Sequence, residues 1–281
     1  MANVTTDTDQ AKQAVRERVW ALLEEHHAVH PPGAAGHIPS FVGSGQAAER
    51  LATLVAWRDA RVIKANPDMA QLPVRVQALP EGKLLYMAVP KLATEQPFYL
   101  LDPTQLAAPF EDAASSTGAP SVAGRVGVQQ MRPVDLIVCG SVAVNHHGVR
   151  IGKGAGYSDL EVALLTEAGL VNDKTTIVTT VHLLQVVYEP LPETEHDFSI
   201  DVIVTPEQVI QCGPARRPKG LHWDHLSQEK IAAIPVLDGE ARRKCARQDP
   251  SGCRPTTSST LGTRTNAPRH GHREDQGEQD R

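Results

Sequence analysis

The run VDLIVCGSVAV, Val134 to Val144, constrains the fold more than any other part of the chain. It is almost continuously apolar and rich in β-branched side chains, so a strand built from it needs cover on both faces. Such a strand belongs inside a sheet flanked by helices. The remaining sequence supplies the companions. HIPSFVG, ARVIKAN, PVRVQAL, LLYMAVP, PFYLLDP, TTIVTTV and IDVIVTP all read as strands. Helical spacing marks QAKQAVRERVWALLEEHHAV, where Val15, Val19, Leu22 and Leu23 approximate one apolar face before Pro31, Pro32 and Gly33 stop it. GQAAERLATLVAWRDA and SDLEVALLTEAGL read the same way. Strands alternating with helices predict an α/β fold with a mainly parallel sheet.

Composition limits the rest. Residues 107–127, rich in Ala, Ser, Gly and Pro, read as a surface loop. Residues 1–9 read as a loose start, and 10–240 as one α/β domain. Residues 241–281 contain no aromatic side chain and read as a disordered tail, unable to offset the entropy of ordering. A net charge of −5 argues against a protein that coats nucleic acid. No apolar run is long enough for a bilayer and no signal peptide is visible, which predicts a cytoplasmic protein without a membrane partner. Cys139, Cys212, Cys245 and Cys253 form no CxxC pair, so neither a disulfide framework nor a cysteine zinc site is expected.

The apolar run leads directly into GVRIGKGAGYSDLE, Gly148 to Glu161. This is not a Walker A loop: only three residues separate Gly148 from Gly152-Lys153, and Gly154 stands where a hydroxyl should hold magnesium. Nor is it a Rossmann fingerprint, since it reads G-x-G-x-G and comes late in the chain. The physics behind both motifs still applies. A glycine-rich turn between a buried strand and a helix N-terminus presents backbone N–H groups to an anion. Arg150 and Lys153 add positive charge, and Asp159 is placed to reach a magnesium ion on the same phosphates. The plain alternative is a glycine-rich turn with a solvated Arg and Lys.

The run VDLIVCGSVAVNHHGVRIGKGAGYSDLEVALL resembles the signature of the 5-formyltetrahydrofolate cyclo-ligase family. Gly148, Arg150, Gly152, Gly154, Gly156, Tyr157 and Asp159 match its Gly-x-Arg-Leu-Gly-x-Gly-x-Gly-Tyr-Tyr-Asp-Arg pattern. Lys12 and Arg16 match the Lys-x-x-x-Arg of its first helix, HLLQVV its Gln-Val element, and EHDFSIDVIVTPEQVI its acidic C-terminal strand. The resemblance covers roughly residues 10 to 209. It implies a three-layer α/β/α sandwich of the kind shared by sugar-phosphate isomerases and CoA transferases. It also implies conversion of 5-formyltetrahydrofolate and ATP to 5,10-methenyltetrahydrofolate, ADP and phosphate, with Mg2+ as cofactor.

On that resemblance, Lys12, Arg16, Arg150, Ile151, Gly152, Lys153, Gly154, Ala155, Gly156 and Tyr157 would bind ATP. Lys153, Gly154, Ala155, Gly156 and Tyr157 would also face the reduced folate. Asp159 and Asp197 would hold magnesium, and Arg150 and Lys153 would stabilise charge on the transferring phosphoryl group. The chain departs from the pattern at Ser158 for the second Tyr, Leu160 for the Arg, and Val144-Asn145 for Phe-Asp. IPSFVGSGQAAER lacks the family's folate-contacting Glu. In these departures the chain is similar to a divergent subgroup, the methenyltetrahydrofolate synthetase domain-containing proteins. A nucleotide- or folate-binding regulator without turnover is the competing reading, and an RNA-binding module ranks below both.

Histidines draw separate expectations. His26, His27 and His30 read as a solvated helix end despite a metal-compatible spacing, and His146 and His147 as a simple turn. His196 could orient Asp197 or lie exposed. His270 and His272 belong to the tail, and Glu161 reads as a cap on the first turn of its helix.

Overall fold

Successive side chains of a strand point to opposite faces, and the central strands here bury both. In β5, Leu136–Cys139, Leu136 and Val138 enter one apolar layer while Ile137 and Cys139 enter the other. The computed structural model describes residues 2–213 and 216–248. Its other strands are β1 (Val62–Ala65), β2 (Leu84–Ala88), β3 (Phe98–Leu101), β4 (Gly124–Val126), β6 (Ala143–Asn145), β7 (Arg150–Ile151), β8 (Thr176–Thr180), β9 (Val186–Val187), β10 (Val202–Val204) and β11 (Val209–Gln211).

Eight of these form one sheet in the order β11-β10-β8-β5-β1-β2-β3-β4. From β10 to β2 every pairing is parallel, while β11, β3 and β4 join antiparallel at the edges. β7, β6 and β9 make a second, small sheet. One face of the large sheet is covered by α1 (Ala2–Glu25), α2 (Ser44–Ala52), α3 (Val55–Asp59), α4 (Leu72–Ala78), α5 (Phe110–Ala114) and α6 (Ala119–Val122). The other face is covered by α7 (Tyr157–Glu167), α8 (Gln228–Ala233) and, through Val236 and Leu237, the start of α9 (Pro235–Gln248). The result is the expected three-layer α/β/α arrangement around a mainly parallel sheet. Among the described residues, no helix is long and apolar enough to cross a membrane.

Several local expectations are corrected. PVRVQAL is helix α4, not a strand. Pro73 sits in its first turn, where a missing N–H costs nothing, and the buried Val74, Arg75 and Ala78 lie on one helical face. HIPSFVG contributes only the isolated bridge Val29↔Phe41. The loop expected over 107–127 contains α5, α6 and β4. VDLIVCGSVAV divides into β5 and β6 at Gly140, where a Cβ would sit 2.6 Å from Ile38 Cγ2. The helix expected over 45–60 is likewise two, α2 and α3. α1 begins at Ala2, ahead of the expected start. The remainder of the expected tail, with Cys253, His270 and His272, lies outside the described residues.

Arg75 explains how the turn after β1 is held. Fully buried, its guanidinium donates to the carbonyls of Ala114 at 2.7 Å, Asp68 at 3.0 Å and Pro67 at 3.3 Å, and also to Asn66. Burial lowers its pKa to about 10, still cationic at neutral pH. Arg75→Leu strips several buried carbonyls of their donor and is expected to cost about 3 kcal/mol. Urea denaturation would read this as a lower midpoint.

Candidate active site

The glycine loop is shaped from both ends. Upstream, the Asn145 side-chain oxygen accepts from the N–H groups of His147 and Val149, each at 3.1 Å, forming the turn between β6 and β7. Gly148 completes it at φ 82°, and a Cβ there would lie 2.2 Å from the Ile200 carbonyl. Only glycine satisfies both conditions. Its own carbonyl accepts from Ile200 N at 2.8 Å, stitching the turn to the segment that carries Asp197. Downstream, Gly156 enters α7 at φ 71° with no side-chain cap. The first N–H groups of this helix therefore keep their capacity for an anion.

Charged side chains surround the loop. Arg150 is 4% exposed, lies 4.0 Å over the Phe198 ring, and donates to Asp159 Oδ1 at 2.5 Å. Burial works against its charge, but Asp159, Cys139 and Asp197 outweigh that and raise its pKa. From α1, Arg16 Nε donates to the Gly152 carbonyl at 2.7 Å, and Lys12 Nζ donates to Asp197 Oδ2 at 2.6 Å. Asp197 Oδ2 also accepts from Thr194 N at 2.6 Å. Burial alone would raise the Asp197 pKa, yet the bonds from Lys12 and Thr194 hold it below the usual carboxylate range. Lys153, at the tip of the loop, reaches Asp68 Oδ1 at 3.3 Å.

These groups line one cavity of about 180 Å3. All of the expected site residues are there: Lys12, Arg16, Arg150, Ile151, Gly152, Lys153, Gly154, Ala155, Gly156, Tyr157, Asp159 and Asp197. Its lining includes four cations, Lys12, Arg16, Arg150 and Lys153, and four carboxylates, Asp9, Asp68, Asp159 and Asp197. Among the described residues, Asp159 Oδ2 and Asp197 Oδ1 accept no hydrogen bond, so each carboxylate retains an oxygen suited to a hard divalent cation. The buried Arg150 Nε likewise has no partner among the described residues. The donor set thus fits both a magnesium ion and a phosphate.

A second cavity, about 470 Å3, shares Asp68, Lys153, Ala155, Tyr157 and Ser158 with the first and is walled by Pro31, Pro32, Met69, Ala88 and Val89. Glu161 also lines it. Rather than capping α7, Glu161 is buried in an ion pair with the fully buried Lys64, whose Nζ also donates to Asn66 Oδ1 at 2.6 Å. Asn66 Nδ2 in turn donates to Ser158 Oγ at 2.8 Å.

Sequence reasoning passed over Asp9, Asp68, Lys64 and the burial of Glu161. Asp68 carried a signal: it follows the carboxyl end of a parallel strand, where open α/β sheets bind ligands. His196 does not orient Asp197, which Lys12 and Thr194 hold. Its ring is exposed and packs edge-on against His222 and His225. His146 stacks on Tyr188 with ring centroids 4.9 Å apart, away from the loop cavity.

A model of the 5-formyltetrahydrofolate cyclo-ligase family matches residues 8–206. The methenyltetrahydrofolate synthase domain-containing protein of Mus musculus is 40% identical over 252 residues, covering 87% of this chain and 67% of that protein. Its Homo sapiens counterpart is 34% identical over 273 residues, covering 90% and 70%. The chain thus spans about two thirds of the length of these curated relatives. Among solved structures, the 5,10-methenyltetrahydrofolate synthetase of Aquifex aeolicus is similar at 22% identity and a TM-score of 0.46, over 78% of this chain and 99% of that one. The residues gathered around the glycine loop and the family match agree: this chain belongs to the 5-formyltetrahydrofolate cyclo-ligase family.

Proposed function

We propose that the protein uses ATP and Mg2+ to convert 5-formyltetrahydrofolate to 5,10-methenyltetrahydrofolate, with release of ADP and phosphate. The observation that carries this reading is the convergence in one cavity of uncapped helix amides, four cations and two carboxylates with spare oxygens. The triphosphate would lie along Gly152 to Tyr157, with Lys12 and Arg16 closing on it from α1. Asp159 and Asp197 would hold magnesium, which when bound offsets negative charge on the phosphates. With as many carboxylates as cations in the lining, the protein alone offers no net positive charge to a polyphosphate, so a metal companion suits it.

The larger cavity, sharing Lys153, Ala155 and Tyr157 with the first, suits the reduced folate. In this reading the formyl oxygen meets the γ-phosphoryl group at the shared wall. The formyl oxygen takes the phosphoryl group as the bond to ADP breaks. N10 then attacks the activated carbon and gives up its proton to solvent, and phosphate leaves carrying the original formyl oxygen. The protein's part is positioning and charge stabilisation, with Lys153 the most exposed of the four cations.

One observation favours the alternative, a nucleotide- and folate-binding protein without turnover: the buried Arg150 is already committed to the partly buried Asp159. A single assay separates the two. Mixing the protein with Mg-ATP and 5-formyltetrahydrofolate should produce growth of the methenyl-folate absorbance band. Lys153→Ala should slow it by about 100-fold or more while calorimetry still detects ATP. ATP binding without band growth in the wild-type protein would establish the alternative.

The magnesium assignment has its own test. Asp197 remains ionised throughout the neutral range, because its pKa is held down. Asp197→Asn keeps an acceptor for Thr194 but loses the charge. The Mg2+ concentration giving half-maximal rate should then rise on the order of 10-fold. An unchanged requirement would remove Asp197 from the metal site.

A further inference from the structure

Beyond the loop cavity, three imidazoles from two segments converge. His196 comes from the stretch between β9 and β10. His222 precedes and His225 ends the 3-10 turn Trp223–His225 before α8. The His196 ring stands edge-on to both partners, with centroids 4.8 Å from His222 and 5.1 Å from His225. The His222 and His225 rings are nearly parallel, 19° apart. We propose that His196, His222 and His225, with Glu195, form a binding site for a divalent transition-metal ion of the zinc class, separate from the carboxylates assigned to magnesium.

Geometry supports this. One ring nitrogen from each histidine lies within 4.8 Å of the others. A zinc ion with ligands at about 2.05 Å needs donor atoms about 3.3 Å apart along the edges of its tetrahedron. His225 Nδ1 lies 3.3 Å from His196 Nε2 and 3.2 Å from Glu195 Oε1. Two edges already have the required length. The His222 nitrogen, within 4.8 Å of the other two, has to move closer to complete the set, and His196 and His225 are exposed enough to adjust with it.

Ligand chemistry supports it too. Imidazole nitrogens suit zinc, nickel, copper and cobalt, whereas magnesium prefers oxygen. The two kinds of site would therefore sort their ions by donor type. They are also neighbours: the cavity of about 350 Å3 lined by the three histidines is lined as well by Lys12, Asp159 and Asp197. An ion on the histidines would share a wall with the loop cavity, next in sequence to Asp197. The site does not depend on what that cavity binds.

The test uses the full chain after chelator treatment, titrated with Zn2+ by calorimetry and with Co2+ by visible absorption. The comparison is His222→Ala/His225→Ala, with His196→Gln as a second variant. Wild-type protein should bind one equivalent more than the double variant, with the intense cobalt bands of four-coordinate geometry. His196→Gln should bind that equivalent at least about 100-fold more weakly. Zn2+ should raise the wild-type Tm and leave that of the double variant in place, while matching Tm values without metal establish that the variants fold. Equal stoichiometry and affinity in wild type and double variant, or the weak cobalt bands of octahedral coordination, would overturn the proposal.

Discussion

The pair between the buried Arg150 and the partly buried Asp159 is the constraint on which the site rests. It joins β7 to the first turn of α7 across the whole glycine loop, so residues 151–158 are closed into a ring by their flanking charges. Stacking of the same guanidinium on Phe198 fastens that ring to the segment bearing Asp197. Glycine gives the loop its left-handed turns but no rigidity of its own. The rigidity comes from the pair. Deleting Asp159 would leave the buried Arg150 guanidinium without its carboxylate, at a cost of about 3–5 kcal/mol.

The chain departs from its family's pattern at positions that have been given other structural tasks. Ser158, in place of a tyrosine, accepts from Asn66 and so links α7 to the turn beyond β1. Leu160, in place of an arginine, packs into the apolar layer beneath α7 at 9% exposure. Below them the Lys64–Glu161 pair crosses from β1 to α7. This polar network borders the larger cavity through Asn66, Ser158 and Glu161, so the departure at Ser158 alters the wall proposed for the folate, while the glycine loop keeps its residues.

Much of this was legible in the sequence because the information is local. β5 and β10 announce themselves as apolar runs and β8 as a β-branched one, and the loop carries its glycines and charges within a dozen residues. PVRVQAL misled because alternation of two and a helical face coincide over so few positions. Residues 107–127 misled because alanine and serine also build short helices once the sheet offers a surface. The Lys64–Glu161 pair and the three converging histidines could not be read at all. Glu161 lies far from Lys64 in the chain, and His196 lies in a different segment from His222 and His225, so only the folded chain brings them together.

The balance of four cations and four carboxylates around the loop cavity has a further consequence. Each cation there already faces a fixed carboxylate or carbonyl, so an arriving polyphosphate exchanges partners with the protein itself. Far fewer dissolved counterions are released than from an uncompensated basic groove. Ionic strength is consequently a weak lever on this site. On the proposed function, occupancy would turn on whether Mg-ATP can displace Asp68 from Lys153 and Asp197 from Lys12.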